Sequence, residues 1–187
     1  MPVLIAGFVL FLGTHFARVA APGMRANFIA AKGSGPWQGI YSVISILGFV
    51  LLIYGYSLAR ENADEAFAVS SLARTVQLLA MPVALILVVA AQFPAGYIKK
   101  TLRHPMILGV LIWSGTHLWG NGDWASITLF GAFFVWALLT TISSFRRPSE
   151  PVEAKVLFDG VAIVAGLVLT WLFLRFLHEW LFGVGIV

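Results

Sequence analysis

Cysteine is absent from this chain of 187 residues. Its absence excludes disulfide bonds, thiolate-bound iron and covalent attachment of haem through a Cys-x-x-Cys-His motif. A metal or haem group in this protein therefore has to be bound by other side chains. The four histidines are the first candidates, because neutral imidazole is a common ligand for metals and for haem iron.

Charge is also scarce. Charged residues make up 11% of the chain and apolar residues 60%, a composition outside that of soluble globular domains and typical of an integral membrane protein. The net charge of +4 comes from basic residues in short loops beside apolar segments, so we expect no nucleic-acid partner. No basic residue precedes Arg18, which predicts that the first apolar segment is retained and is not a cleaved signal peptide.

Six apolar segments approach the roughly 20 residues that a helix needs to cross a bilayer. They cover about residues 2–21, 37–59, 72–92, 105–121, 124–145 and 159–182. The runs are continuous and do not alternate, which argues against membrane strands. Since no linker-like segment divides the chain, we predict one all-α integral membrane domain, 1–187, with about six transmembrane helices in one bundle.

The basic residues predict the orientation of this bundle. They concentrate in the first, third and fifth loops, around residues 18–32, 99–103 and 146–155, whereas the second loop is largely acidic and the fourth carries Asp123 alone. Because basic loops stay on the cytoplasmic side, both termini are predicted to be periplasmic.

Three histidines, His15, His104 and His117, lie in or at the edge of apolar segments. Ionisable residues at membrane depth are by default candidates for function, although a buried histidine can also simply bond a neighbouring carbonyl. His104 and His117 would lie roughly 20 Å apart on one helix and on different faces, so they cannot bind the same iron. A single haem would need His15 with one of them, or one axial histidine alone.

Two arguments favour different histidines as the second iron ligand beside His15. Depth in the membrane favours His104 as the partner of His15. Local chemistry favours His117, because Gly109 and Trp113 precede it on the same face and Ser114 lies alongside. Small residues there would leave space for a flat macrocycle against which the indole could pack.

The first helix repeats this arrangement. Gly7, Phe11 and His15 form one stripe, with Gly13 beside it. Arg18, one turn further along, could pair with a haem propionate or simply be a basic residue at the membrane edge. We interpret His178, near Arg175 and Glu179, as an interfacial residue without a functional role, and the latter two as an i,i+4 pair.

Signals of catalysis are weak, so the sequence leaves open whether the protein is an enzyme. Ser114 and His117 are close enough on one helix to meet, but no acid is available to orient the imidazole. The membrane segments also lack the paired carboxylates of general acid–base catalysis, which argues against a hydrolase.

The motifs Gly13-Thr14-His15 with Arg18, Arg103-His104-Pro105, and His117-Leu118-Trp119-Gly120-Asn121 resemble those of the NnrU family of bacterial membrane proteins. The resemblance extends over about residues 1–147. It implies an inner-membrane, multi-pass protein associated with denitrification and nitric oxide metabolism.

The same domain is similar to 15-cis-zeta-carotene isomerase, a membrane enzyme of plants and cyanobacteria that uses haem b. Carried over by motif, its iron ligands correspond to His15 and His117, so that haem b would be held between the first and fourth predicted helices. His104 is then the alternative ligand, and Arg103 and His104 would face a propionate or have a structural role.

Two departures from known patterns restrict the function. The isomerase has a cysteine, proposed to change ligation with redox state, where this chain has Ser114, and a hydroxyl is a poor replacement for thiolate toward iron. Arg103-His104-Pro105 is also similar to a motif of membrane methyltransferases. Here Ile107 replaces the tyrosine of that motif. The methyltransferases also carry paired acidic residues in a later segment, whereas this chain has only the separated Glu150 and Glu153 there.

The first hypothesis is therefore an inner-membrane haem-b protein of nitrogen-oxide metabolism. The alternatives are a haem-dependent cis–trans isomerase of a polyene such as zeta-carotene, and a non-enzymatic partner or maturation factor of a nitrogen-oxide reductase. Expected partners are the lipid bilayer and membrane redox proteins or reductase subunits. A metal site without porphyrin is less favoured, because no acidic or cysteine ligand accompanies the histidines.

Overall fold

The computed structural model describes residues 1–148 and 152–186, without the side chains of residues 17–20 and 22. The described chain is helical and contains no β-strand beyond one isolated bridge between Glu65 and Asp123. The helices are α1 (Pro2–Ala20), α2 (Pro22–Lys32), α3 (Ser34–Arg60), α4 (Ser71–Ala90), α5 (Tyr97–Leu102), α6 (Pro105–Gly120), α7 (Trp124–Phe145), α8 (Val156–Leu172) and α9 (His178–Phe182), with a π-helical turn at Phe173–Leu177. All six predicted segments are helical, which confirms the all-α class.

Among the residues described with their side chains, four helical segments are long and apolar enough to cross a membrane: α3, α4, α7 and the continuous stretch Val156–Phe182. The other two predicted spans are shorter. In α1, a helix of 19 residues, the apolar part with described side chains covers Pro2–Phe16. Helix α6 has 16 residues, about 24 Å at 1.5 Å per residue, against a hydrocarbon core of about 30 Å. The described residues thus contain four candidate spans where the sequence predicted six.

Two compact units make up the chain, an N-terminal unit (Met1–Ala63) and a C-terminal unit (Asp64–Val187). In the N-terminal unit, α1 packs antiparallel along α3, and glycines allow the two backbones to touch. A Cβ at Gly48 would lie 2.6 Å from the amide nitrogen of Phe11, and one at Gly7 would lie 2.7 Å from that of Leu52. Gly55 is likewise closed in by Leu4. Glycine therefore allows the close contact between these two helices.

In the C-terminal unit, α4 packs against both α6 and α8, and α7 packs on α6. The buried face of α7 recurs every three or four residues and consists of Ala125, Ser126, Leu129, Phe130, Phe133, Ala137, Thr140 and Ser144. This spacing is that of one helix face lying against a neighbouring helix. The face fixes the register between α6 and α7.

The turn between α6 and α7 is held in place by polar contacts. Asp123 caps α7 by accepting hydrogen bonds from the backbone nitrogen of Ser126 (2.8 Å) and from its hydroxyl (2.6 Å). The segment before α4 runs beside this turn, with the amide of Ala66 donating to the carbonyl of Gly122 at 2.7 Å. This tight turn holds the end of α6 that carries His117.

Two short helices were not predicted. Pro22 begins α2 directly after α1 ends, at the first helical position where proline needs no hydrogen-bonded amide. The beginning of α5 is capped from α8, because Asp159 accepts hydrogen bonds from the amides of Tyr97 (2.7 Å) and Ile98 (2.9 Å). A cap supplied from about 60 residues away is invisible to local sequence patterns.

Candidate functional site

His117 lies in the last turn of α6 and is 7% exposed. Its Nδ1 lies 2.9 Å from the carbonyl oxygen of Trp113, one turn earlier. Because a carbonyl oxygen can only accept, Nδ1 carries the proton and Nε2 keeps the lone pair. The imidazole is thus held in the tautomer in which Nε2 could bind a metal ion.

Aromatic rings surround this imidazole. The ring centroids of Trp113 and Phe130 lie 5.6 Å and 4.7 Å from that of His117. Trp113 in turn packs edge-on against Phe130 at 5.3 Å and against Phe133 at 5.2 Å. These four residues, Trp113, His117, Phe130 and Phe133, form the aromatic cluster of the C-terminal unit. The cluster keeps water away from His117 and fixes the plane of its ring.

The small residues predicted beside His117 have other contacts. Ser114 is fully buried, and its hydroxyl donates to the carbonyls of Val110 (2.7 Å) and Leu111 (3.3 Å) in its own helix. Gly109 faces α4, where a Cβ would lie 2.6 Å from the carbonyl oxygen of Ala84. Close packing against α4 therefore explains why a glycine occupies position 109. Of the residues predicted beside His117, Trp113 is the one that contacts its imidazole.

His15 in α1 has the same local geometry as His117. Its Nδ1 lies 2.7 Å from the carbonyl oxygen of Phe11, four residues earlier. Its ring packs against Phe11 at 4.3 Å and against Tyr41 of α3 at 5.3 Å. Both histidines thus have an aromatic residue at i−4 whose carbonyl holds Nδ1 and whose ring packs against the imidazole.

The structure gives less information about the other two predicted site residues of α1, Gly13 and Arg18. Gly13 is exposed, and a Cβ there would meet no atom within 4 Å, so this side of α1 is open. Arg18 belongs to α1, but its side chain lies outside the described residues. Its pairing with a propionate stays a prediction.

His104 and His117 lie at opposite ends of α6, as their spacing predicted. His104 immediately precedes the helix, and its ring packs edge-on against Phe145 of α7 at 5.5 Å. Arg103 lies over the same phenyl ring at 5.6 Å and donates from Nη2 to the carbonyl of Arg147 at 3.0 Å. These two residues form a second polar group in the C-terminal unit, distant from the aromatic cluster.

His178 is the first residue of α9. Its Nδ1 donates to the carbonyl of Val184 at 2.7 Å, and its ring packs against Phe182 at 5.3 Å. No ion pair joins Arg175 and Glu179 in the part of the chain that the structure describes, so their predicted pairing is wrong. Arg175 lies in the π-helical turn, where one turn takes more residues than in an α-helix and the i,i+4 alignment is lost.

The contacts that sequence reasoning missed come from neighbouring helices. Phe130 and Phe133 reach His117 from α7, and Tyr41 reaches His15 from α3. None of these has a local signal, because apolar and aromatic residues occur throughout the membrane segments. The described residues contain no group of three or more His, Asp or Glu side chains that could hold a metal ion.

Comparison with known proteins gives one result. The chain matches the sequence model of the family described as NnrU protein over residues 3–186. No curated protein and no solved structure matches it. The match covers both compact units and extends through the last helix, beyond the residues on which the resemblance was first based. The chain therefore belongs to the NnrU family.

Proposed function

We propose that this protein is an inner-membrane haem-b-binding protein acting in nitrogen-oxide metabolism, with His15 and His117 as the residues that would hold the haem iron. The observation that carries the proposal is the geometry these histidines share. Each donates Nδ1–H to the carbonyl of an aromatic residue at i−4, and each keeps its lone pair on Nε2. His178 also donates Nδ1–H to a backbone carbonyl, so what distinguishes His15 and His117 is that in each the partner is an aromatic residue at i−4 whose ring contacts the imidazole.

The donor set fits haem better than a free metal ion. Porphyrin supplies four nitrogens itself, so each compact unit needs to contribute no more than one imidazole. A protein-bound zinc ion would need three or four ligands together, and the described residues offer no such cluster. Bound haem would supply a redox-active iron, while the protein holds the imidazoles, keeps the proton on Nδ1 and excludes water.

Ser114 supports this function over cis–trans isomerisation. The resemblance to carotene isomerase implies a cysteine at this position that changes ligation with redox state. Here the hydroxyl is fully buried and bonded to two carbonyls of its own helix. Since it can neither act as a thiolate nor leave those carbonyls without a conformational change, we propose that haem in this protein undergoes no such ligand exchange.

Membrane topology is the second part of the proposal. We propose that α1 and α6 cross the membrane together with the four longer spans, giving six helices and periplasmic termini. Short spans are tolerated where the bilayer thins locally or where neighbouring helices cover them. α6 packs on both α4 and α7, which supports its inclusion.

The test is the visible spectrum of the protein purified in detergent from haem-replete cells. We expect a Soret band, and a pyridine haemochrome assay should give the spectrum of haem b. His15→Ala and His117→Ala should each reduce or shift the band strongly, whereas His178→Ala should leave it unchanged. His104→Ala is the decisive comparison, because a larger effect there than at His117 would transfer the ligand role to His104.

The haem-to-protein ratio separates two arrangements. One haem per chain that is disturbed by both substitutions would support joint ligation by His15 and His117. Two haems, each lost with one substitution, would support an independent site for each histidine. A preparation without Soret absorption would refute haem binding.

A further inference from the structure

Helix α2 joins the two long helices of the N-terminal unit at one end. A single residue, Ala21, separates it from α1, and Gly33 separates it from α3. The φ of Gly33 is 85°, a conformation that glycine adopts readily and that interrupts the helix. Because α3 is long and apolar enough to cross a membrane, α2 lies at the level where this span begins.

One face of α2 combines basic and aromatic side chains. Met24, Phe28 and Lys32 recur every four residues and so share a stripe, with Arg25 beside it at i−3 from Phe28. The ring of Phe28 packs edge-on against Trp37 of α3 at 5.5 Å, and the Nζ atom of Lys32 lies 5.7 Å from the centroid of the same ring. We call these five residues the basic–aromatic face.

This face is accessible and not part of the packed interior. Met24 is 53% exposed, Arg25 and Lys32 are exposed, and Phe28 and Trp37 are half-buried. No residue of α2 whose side chain the structure describes is buried. The helix therefore presents both its cations and a continuous apolar patch to whatever surrounds it.

The positive charge of the face has no counterpart nearby in the sequence. The first acidic residue of the chain is Glu61, so α1, α2 and α3 contain no carboxylate side chain. Lys32 contacts the ring of Phe28, and neither Lys32 nor Arg25 has an ion pair among the described residues. The two cations are seven residues apart, about 10 Å along the helix. An anionic partner for them has to come from outside the N-terminal unit.

The contact with Trp37 indicates which way the face points. Trp37 lies in the first turn of α3, the helix that enters the membrane from this end. The side of α2 that meets Trp37 is therefore the side toward the bilayer. Tryptophan is enriched at the level of lipid headgroups, and lysine and arginine place their charged ends there while their stems lie on apolar surface.

We propose that the basic–aromatic face of α2 binds anionic phospholipid headgroups and so holds α2 on the surface of the bilayer. Arg25 and Lys32 contact lipid phosphates, and the apolar side chains between them contact the glycerol and upper acyl region. A soluble anion would use the two cations but not the exposed apolar patch, whereas a phospholipid uses both. The proposal does not depend on haem.

The first part of the test locates the face by fluorescence quenching of the full-length protein in vesicles. A bimane fluorophore is attached to single cysteines, since the chain has none of its own. Met24→Cys labels the face, and Ala26→Cys labels another exposed position about 200° around the helix. Phospholipids brominated near the glycerol should quench position 24 more strongly than position 26. Iodide in the water should show the reverse preference.

The second part tests charge, by comparing brominated phosphatidylglycerol with brominated phosphatidylcholine as quenchers at position 24. We expect phosphatidylglycerol to bind more tightly there. Arg25→Gln and Lys32→Gln should each lower its relative affinity by about five-fold, the scale of one basic residue near an anionic surface. Arg25→Lys retains the charge and should retain most of the preference. Arg74→Gln is the matched control, since it removes an exposed arginine from α4.

Three results would overturn the proposal. Equal affinities for the two lipids, or equal losses in Arg25→Gln and Arg74→Gln, would show that the face does not select anionic headgroups. Quenching of position 24 by iodide alone would place the face in water. Quenching by neither agent would show that protein covers it, such as a second copy of the chain. A preparation without haem would leave all these measurements interpretable, so failure of the proposed function is distinguishable from failure of this proposal.

Discussion

At the scale of residues, the candidate site depends on which nitrogen of each imidazole carries the proton. Helical geometry brings the i−4 carbonyl to Nδ1 in both His15 and His117. The remaining lone pair is therefore on Nε2 in each. Placing a histidine four positions after an aromatic residue thus determines both the tautomer and the orientation of the imidazole ring.

Ser114 provides a prediction at this scale. Ser114→Ala should leave the haem spectrum unchanged and alter the free energy of unfolding by no more than about 1 kcal/mol, because its hydroxyl bonds carbonyls that the helix already satisfies. Absorbance and thermal denaturation of the purified variant check this. A shifted or missing Soret band would show that the hydroxyl does take part in the haem site.

Residue-level prediction from the sequence succeeded where local spacing carries the information. The i−4 relation of Trp113 to His117 and of Phe11 to His15 can be read from the chain, and both contacts are present. Phe130 could not be identified in this way, since its contact depends on the register of α7 against α6. Gly109 was expected beside a macrocycle, but it lies against α4, and spacing alone does not tell which neighbour a helix face meets.

At the scale of elements, glycine sets the distance between helices. Without a hydrophobic driving force between helices in lipid, close backbone approach and dense packing hold them together. The seam between α1 and α3 follows this rule at Gly7, Gly48 and Gly55. The seam also positions Tyr41 of α3 against His15 of α1, so helix spacing and the candidate site are connected within the N-terminal unit.

Gly48 tests this packing against a matched glycine in the same helix. Gly48→Ala should lower the free energy of unfolding by about 1–3 kcal/mol, because the added Cβ would lie 2.6 Å from the amide nitrogen of Phe11. Gly39→Ala should be neutral or slightly stabilising, since no atom lies within 4 Å of its built Cβ. Thermal denaturation in one detergent compares them, and equal melting temperatures would contradict the packing argument.

Elements were predicted unequally well from the sequence. The six apolar segments are all helices, with ends close to those expected, because composition and length dominate in such runs. α2 and α5 were missed, being short, and α5 depends on Asp159 of α8 for its cap. No local sequence pattern predicts the π-helical turn at 173–177. Because of this turn, Arg175 and Glu179 do not form the expected pair.

At the scale of the whole molecule, family membership covers nearly the entire chain, and four helical segments among the described residues satisfy the length and composition of membrane spans. The proposed six-span arrangement needs α1 and the 16-residue α6 to cross as well. The distribution of basic residues in the loops supports it independently of helix length.

Topology can be tested with single cysteines, because the chain has none of its own. Asn62 and Pro148 are both exposed and follow α3 and α7. In intact spheroplasts, an impermeant thiol reagent should label Asn62→Cys, whereas Pro148→Cys should be labelled only after permeabilisation. The same labelling pattern at both positions would contradict the six-span topology.

The most direct test of the central claim is chemical rescue of His117→Gly. We predict that this variant, purified from haem-replete cells, has a greatly reduced Soret band, and that millimolar free imidazole supplied with haem restores it. Rescue would identify the lost group as an iron ligand, since a packing defect has no reason to respond to imidazole. A variant that keeps the Soret band of the unmodified protein without imidazole would contradict the assignment of His117.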